Sequence, residues 1–138
     1  MSLLVVDASV ALKWFFEEEG SNQAEGLQTA YELIAPDLII PEVLNGAWKA
    51  VRRGIVPADQ VESIPRILPG CFSILVRSPE LVPRALEIAI ELNHPVYDCF
   101  YLAVAESQGA ILVTADTRLL KAVSKTVFAG IGRPLAGA

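Results

Sequence analysis

The chain has 138 residues, of which 53% are hydrophobic and 20% are charged, and its formal net charge is −5. This length suits one domain with a proper core, and this composition excludes a disordered chain. The acidic balance argues against a broad electrostatic surface for nucleic acid. No apolar run reaches the roughly 20 residues that span a bilayer, and the N-terminus does not match a signal peptide. We therefore expect a single domain over residues 1–138, located in the cytoplasm.

The first half of the chain predicts a buried strand followed by helices. The apolar run at residues 3–6 ends at Asp7, which is typical of a strand buried on both faces of a parallel sheet. Ser21 is predicted to cap a helix, and Pro36 and Pro41 fit the entry to a helix better than its interior. The predicted elements are a strand at 3–6, a short helix at 10–16, a helix at 21–33, a strand at 34–35 and a helix at 41–54.

The second half continues the alternation of helices and strands. Residues 97–108 are apolar on more than one side, which indicates a buried helix. The predicted elements are a helix at 57–69, strands at 72–76, 110–113 and weakly at 126–129, helices at 78–93, 97–108 and 117–124, and a short flexible tail from about residue 130. Alternating strands and helices predict an α/β fold with a small, mainly parallel central sheet of four to five strands.

Four acidic residues lie where such a sheet gathers its functional groups. Asp7 ends the first strand, and Asp116 lies two residues past the strand at 110–113. The carboxyl ends of parallel strands meet at one edge of the sheet, where ligands bind. Asp98 opens the helix before that strand, and Glu42 lies in the first turn of its helix with Asn45 on the same face. All four carboxylates are therefore predicted near one edge.

Two interpretations of these acids are open from the residues alone. Each of them can cap a helix, because carboxylates favour the free N–H groups and the dipole of a helix N-terminus. Alternatively, several carboxylates beside apolar sequence repel one another unless a cation offsets them. Ligands that are all oxygen favour Mg²⁺ or Mn²⁺ over zinc. Such a site can polarise a phosphate and activate water, which predicts hydrolysis of a phosphodiester.

Short motifs surround the four acids. They are Val5-Val6-Asp7-Ala8-Ser9, Pro41-Glu42-Val43-Leu44-Asn45, Tyr97-Asp98-Cys99-Phe100-Tyr101-Leu102-Ala103 and Thr114-Ala115-Asp116. In this order and at this spacing, the motifs resemble those of the PIN-domain ribonucleases, and within them the VapC toxins of type II toxin–antitoxin systems. The resemblance covers nearly the whole chain, and it implies a three-layer α/β/α sandwich of PIN type.

The resemblance also implies roles for individual residues. Asp7 and Asp98 match the principal metal ligands of the family, and Glu42 matches a glutamate that binds metal or orients water. Asp116 matches a fourth acid whose contact with metal is more variable. Three polar residues match positions that surround these acids: Ser9, Asn45 and Thr114.

The activity implied by the resemblance is Mg²⁺- or Mn²⁺-dependent cleavage of RNA within the strand. Attack by water would leave 3′-hydroxyl and 5′-phosphate ends. The implied partners are the RNA substrate, a VapB-type antitoxin that covers the active site, and a second copy of the chain in a homodimer. Two alternatives stay open: a non-catalytic PIN-like module that binds nucleic acid or protein, and an aspartyl-phosphotransfer domain. The second lacks support because Asp7-Ala8-Ser9 has only one of the two acids of a DxD motif.

Basic and aromatic residues near the motifs have two interpretations each. The cations could form a local rim for phosphates or could lie on solvated helix faces: Lys13, Lys49, Arg52, Arg53 and Arg118. Tyr97 and Tyr101 flank Asp98 and could form hydrogen bonds near the site or serve packing alone. His94 precedes Pro95 and is predicted to be a turn residue.

Overall fold

A computed structural model describes residues 1–137 of the chain. Within this range five strands form one sheet: β1 (Leu3–Val6), β2 (Glu32–Pro36), β3 (Ile74–Val76), β4 (Ile111–Thr114) and β5 (Gly132–Pro134). Their order across the sheet is β3-β2-β1-β4-β5, and each neighbouring pair is parallel. The predicted α/β class with a mainly parallel central sheet is confirmed.

Helices connect the strands, as parallel pairing requires. The α-helices in the described part of the chain are α1 (Ala8–Ala11), α2 (Ser21–Ala30), α3 (Ile39–Arg52), α4 (Ile64–Ile67), α5 (Val82–Leu92), α6 (Val96–Gln108) and α7 (Thr117–Val123). Short 3₁₀ turns occupy Leu12–Trp14, Ala58–Val61, Leu68–Cys71, Ser78–Glu80 and Leu135–Gly137. None of the helices within residues 1–137 combines the length and the apolar run that crossing a bilayer would need.

The strand order places a topological switch point beside β1. From β1 the chain proceeds to β2 and β3 on one side, and it then returns to add β4 and β5 on the other side. Val6 of β1 is paired with Val113 of β4. Asp7 and Thr114 are the next residues in the chain, so they lie side by side at the same edge of the sheet. Ligand sites of open parallel sheets lie outside the carboxyl ends of the strands at such a point.

The central strands and α6 provide a large part of the core. The whole side chains of Val5 and Val6 are buried, as the continuous apolar run predicted. In α6 a continuous run from Tyr101 to Ala105 is buried, because this helix packs against β1, β2 and β4 as well as against α5. The predicted buried helix at 97–108 is therefore confirmed, and it ends at Gly109 in the left-handed conformation that glycine adopts without strain.

Three predictions in the first half of the chain are wrong in detail. Ser21 is the first residue of α2 and does not cap it, since its hydroxyl donates to the carbonyl of Phe16 and accepts from the backbone N–H of Glu18. The same helix ends at Ala30, because the chain from residue 32 pairs with β1. Pro36 is the last residue of β2 and does not begin a helix, whereas Pro41 lies in the first turn of α3, which begins at Ile39, as its predicted place at a helix entry requires.

The end of the chain also differs from the prediction. Residues 126–129 form a turn, in which the Thr126 hydroxyl accepts from the backbone N–H of Phe128 and the phenyl ring enters the core. The last strand is Gly132–Pro134, which pairs with β4, and Leu135 after it is buried. The sequence predicted a short flexible tail from about residue 130, and the structure places a strand and a buried side chain within that stretch. The predicted helix at 57–69 is broken into shorter turns at Pro65 and Pro69, as proline lacks a backbone donor.

Candidate active site

Asp7 lies at the carboxyl end of β1 and is only 4% exposed. Its backbone is extended, and its side chain caps α1 by accepting the backbone N–H of Val10 at 3.3 Å. The Ser9 hydroxyl donates to the same oxygen, Oδ1, at 2.5 Å. The Thr114 hydroxyl, from the end of β4, donates to the other oxygen, Oδ2. Asp7 is thus held at the switch point by donors from two parts of the chain.

The charge of Asp7 is disfavoured in this environment. Burial raises the pKa of Asp7 from 3.8 to about 6, although the hydrogen bonds from Ser9, Thr114 and Val10 oppose the rise. The negative charge of Asp98 raises the pKa further. A carboxylate that is buried beside another carboxylate is stabilised by a cation.

Glu42 approaches the same site from the first turn of α3. The phenol of Tyr101, on α6, donates a hydrogen bond to Oε1 of Glu42. Burial raises the pKa of Glu42, and the charges of Asp98 and Asp7 raise it further. Burial and the adjacent carboxylate of Glu42 also raise the pKa of Tyr101, so its hydroxyl remains a donor. Asp7, Glu42 and Asp98 therefore form one electrostatically linked group.

Asp98 lies in the first turn of α6, where His94 contacts it. Nε2 of His94 is 2.6 Å from Oδ2 of Asp98. His94 lies between Asn93, which caps the C-terminus of α5 in the left-handed conformation, and Pro95, which occupies the N-cap position of α6. It is a turn residue, as predicted, but the sequence interpretation missed its contact with the site. The available signal was that His94 lies four residues before Asp98, shortly ahead of the helix predicted at 97–108.

Asp116 lies near the linked group of acids, but its carboxylate forms hydrogen bonds with different partners. It caps α7, and its Oδ1 accepts the backbone N–H groups of Arg118 at 2.9 Å and Leu119 at 3.4 Å. Its own backbone N–H donates to the Thr114 hydroxyl at 2.9 Å, which links it to Asp7. Asp116 is not among the charges that raise the pKa of Asp7 or Glu42. The structure therefore groups three of the four acids and places the fourth beside them as a helix cap.

Ser9 and Thr114 connect the two loops that follow β1 and β4. Besides donating to Asp7, the Ser9 hydroxyl accepts the backbone N–H of Ala115 at 3.0 Å, and it lies 3.4 Å from the Thr114 hydroxyl. Thr114 is fully buried. These contacts fix Asp7 relative to the turn that carries Asp116.

A cleft of about 840 Å³ extends along α3 from Glu42, which is the member of the linked group that lines it. Ser9, Glu42 and Asn45 line one part of it, and Lys49 and Arg53 line the part farther along the helix. Of the other candidate rim cations, Lys13 is paired with Glu18 at 3.2 Å, and Arg52 lies over the ring of Trp48 at 5.4 Å. Arg118 is exposed on α7 and does not line this cleft. Of the five candidate cations, Lys49 and Arg53 therefore form the local basic rim of this cleft.

The residues present fit a hard divalent cation by their chemistry. All three linked acids offer carboxylate oxygen, and within residues 1–137 no Lys or Arg forms an ion pair with any of them. In the same range, no three Asp, Glu, His or Cys side chains are already arranged to hold a metal ion.

Comparison with known proteins identifies the family of the chain. A family model described as PIN domain matches residues 4–125, which contain all four acids. The chain belongs to the PIN domain family. It is similar to Ribonuclease VapC3 of Pyrobaculum aerophilum, with 39% identity over 84% of this chain and 91% of that protein. It is also similar to Exonuclease VapC9 of the same organism, with 37% identity over 60% of this chain and 61% of that protein.

A solved structure supports the same fold. The crystal structure of PAE2754 from Pyrobaculum aerophilum superposes with a TM-score of 0.68 and covers 99% of this chain and 94% of that chain. The sequence identity is 24%, so this likeness concerns the fold alone. The resemblance to PIN-domain proteins that the motifs indicated is confirmed.

Proposed function

We propose that this PIN domain protein is a Mg²⁺- or Mn²⁺-dependent endoribonuclease and the toxin of a VapBC-type toxin–antitoxin pair. The observation that carries the proposal is the buried position of Asp7 at the switch point of the sheet, where Glu42 and Asp98 lie close enough for the carboxylate charges to disfavour one another. The name of the relative that the chain matches over most of its length, Ribonuclease VapC3, supports RNA as the substrate.

The chemistry follows from the groups around the cleft. Asp7, Asp98 and Glu42 would hold Mg²⁺ or Mn²⁺, which when bound polarises a phosphate and lowers the pKa of water. Glu42 or Asp116 orients the attacking water and accepts its proton. Lys49 and Arg53 lie along the cleft beyond Glu42, where they attract the phosphates of the strand. The chain supplies no covalent nucleophile in this scheme, and hydrolysis leaves 3′-hydroxyl and 5′-phosphate ends.

A circular RNA distinguishes cleavage within a strand from cleavage at its ends. We expect the purified protein, freed of antitoxin, to linearise a circular single-stranded RNA in the presence of Mn²⁺. The measurement is gel electrophoresis of the products, followed by ligation assays that identify a 5′-phosphate and a 3′-hydroxyl. An activity that degrades linear RNA and leaves the circle intact would show an exonuclease, as the name of one relative states for that protein. No cleavage of either RNA would contradict the proposed function.

The proposed partners are a VapB-type antitoxin, which would cover the cleft, and a second copy of the chain. For the homodimer the surface that supports it is a stripe on α5. Val82, Leu86 and Ile90 are spaced by four residues and are 51%, 56% and 72% exposed. Contiguous apolar side chains on one helix face favour a partner that removes them from water.

Charged substitutions in this stripe should separate the two copies. We expect Leu86→Glu with Ile90→Glu to convert the dimer to a monomer, because facing glutamates in the interface would repel and remain poorly solvated. The measurement is the molar mass by light scattering after size exclusion. Val127→Glu is the matched control, since Val127 is 80% exposed and lies outside α5. A wild-type protein that is monomeric at high micromolar concentration would contradict the homodimer.

A further inference from the structure

Two side chains at the start of α6 and just before it contact two of the linked acids. Asp98 and Tyr101 lie three residues apart on one face of α6, and His94 precedes that helix by two residues. Nε2 of His94 lies 2.6 Å from Oδ2 of Asp98. Tyr101 reaches across to Glu42 on α3, which is 59 residues away in the sequence. One short segment of the chain therefore holds acids on two different helices.

The two contacts hold the carboxylates in place, and neither contact pairs a carboxylate with the positive charge of a Lys or Arg. A phenol is a neutral donor, and an imidazole donates through Nε2 in the tautomer that carries the hydrogen there. A Lys or Arg partner would instead repel a divalent cation from the site. Within residues 1–137, hydrogen bonds engage Oδ2 of Asp98 and Oε1 of Glu42, which leaves the second oxygen of each carboxylate for another ligand.

The hydroxyl of Tyr101 is more than a packing feature. The side chain is only 1% exposed, so its aromatic ring could be replaced in packing terms by that of a phenylalanine. A buried phenol instead needs a hydrogen-bond partner, and its partner here is Glu42. Tyr97, on the same helix, is 60% exposed and forms no side-chain hydrogen bond among the described residues. The two tyrosines beside Asp98 therefore differ in role, which sequence alone did not resolve.

We propose that His94 and Tyr101 are positioning residues, which orient Asp98 and Glu42 for a divalent cation. The inference rests on the proposed function, because it assigns these residues to the same metal site. Groups that hydrogen-bond to ligating carboxylates fix their orientation, and their loss commonly costs about 10-fold to 100-fold in metal affinity or activity. Both residues act through the acids that they contact.

Tyr101→Phe isolates the hydroxyl, and Tyr97→Phe is its matched control. We expect Tyr101→Phe to weaken Mn²⁺ binding about 10-fold or more, as measured by electron paramagnetic resonance titration of free Mn²⁺ without RNA. At saturating Mn²⁺ the KM for RNA should stay unchanged while kcat falls. Tyr97→Phe should match the wild type in all three quantities. Equal Mn²⁺ affinity for Tyr101→Phe and Tyr97→Phe would overturn the role of Tyr101.

A double-mutant cycle separates positioning from a general loss of stability. In a Glu42→Gln background, Tyr101→Phe should add almost nothing to the loss of kcat, because the carboxylate that Tyr101 positions is already gone. A structural defect would instead add its full effect in both backgrounds. Additivity of the two substitutions would therefore overturn the proposal for Tyr101.

For His94 the conservative variant provides the test. His94→Gln keeps an N–H donor at a comparable distance from the backbone, and His94→Leu removes it. We expect His94→Leu to lose about 10-fold or more in Mn²⁺ affinity and His94→Gln to recover most of it. Equal loss in both variants, or no loss in either, would overturn the role of His94. If the wild type itself neither binds Mn²⁺ nor cleaves RNA, the proposed function fails, which is a different result from wild-type binding that these variants leave unchanged.

Discussion

Asp7→Asn is expected to abolish RNA cleavage and at the same time to stabilise the metal-free protein. Loss of one carboxylate from the linked group removes a cation ligand, and a bound cation contributes several kcal/mol to phosphate hydrolysis, so the rate should fall about 10³-fold or more. The opposite effect on stability arises because the charge of Asp7 is costly in a buried position. One substitution therefore separates function from folding.

The pH dependence of this stability effect has a defined sign. Burial raises the pKa of Asp7 from 3.8 to about 6, so the folded protein binds this proton more tightly than the unfolded chain does. Below pH 3.8 the Asp7 carboxyl group does not lower the free energy of unfolding, because it is protonated in both the folded and the unfolded state. As the pH rises towards 6 the unfolded chain loses this proton first, and the free energy of unfolding falls. Above that range the cost is about 3 kcal/mol, because each unit of pKa corresponds to about 1.4 kcal/mol. Asparagine has no such cost at any pH.

The local hydrogen bonds allow the substitution. The amide oxygen of asparagine can accept from Ser9 and Val10, which both donate to Oδ1 of Asp7. The amide nitrogen can donate to the hydroxyl oxygen of Thr114, whose hydroxyl group donates to Oδ2 in the wild type. No buried polar group therefore has to lose all its partners.

Urea unfolding of the wild type and Asp7→Asn measures the effect. The variant should be more stable by up to about 3 kcal/mol at pH 7 without metal, and the two proteins should converge near pH 4. Added Mn²⁺ should stabilise the wild type more than the variant, since it binds the folded site. Asp116→Asn is the control, because its carboxylate lies at a helix N-terminus outside the linked group. A metal-free variant that is less stable than the wild type at pH 7 would contradict the buried-charge argument.

The elements that sequence predicted best are those whose local pattern and tertiary environment agree. The strand Leu3–Val6 is apolar throughout and is buried on both faces, so its hydrophobic pattern alone defines it. The helix Val96–Gln108 ends at a glycine that adopts the left-handed conformation its position needs. Asp7 could be predicted for the same reason, since it directly follows a strand that could be recognised.

The elements that sequence missed depend on contacts between distant residues. Gly132–Pro134 is a strand because it pairs with β4, and a glycine and a proline give no strand signal of their own. Ser21 has the chemistry of a cap, but its hydroxyl bonds to Phe16 and Glu18 in the preceding turn. In the site, the hydrogen bond from Tyr101 to Glu42 joins two helices that are distant in the sequence, so no local sequence pattern predicts it.

The four acids were predicted as one set with unequal roles, and their roles remain a proposal. The structure gives a physical reason why the four acids should have unequal roles. Asp98 raises the pKa of both Asp7 and Glu42, so its charge acts on the whole group. The carboxylate of Asp116 instead accepts hydrogen bonds from backbone N–H groups at the N-terminus of α7. Paired substitutions of these two acids should therefore give different results.

Asp98→Asn is expected to lower the rate of RNA cleavage about 10³-fold, whereas Asp116→Asn should lower it about 10-fold or less. Both variants should fold, because asparagine can still accept from His94 in the first case and is as good a helix cap as aspartate in the second. Cleavage of one RNA at saturating Mn²⁺ measures both rates, and thermal unfolding confirms the fold of each.

Asp116→Ala provides the complementary control. Alanine cannot accept the N–H groups of Arg118 and Leu119, so this variant should lose about 1 kcal/mol of stability while Asp116→Asn loses almost none. If Asp116 serves chiefly as a cap, Asp116→Ala and Asp116→Asn will have similar cleavage rates but different stabilities. If both variants lose as much activity as Asp98→Asn does, then the carboxylate of Asp116 leaves its helix to take part in the reaction. The division into three linked acids and one cap would then be wrong.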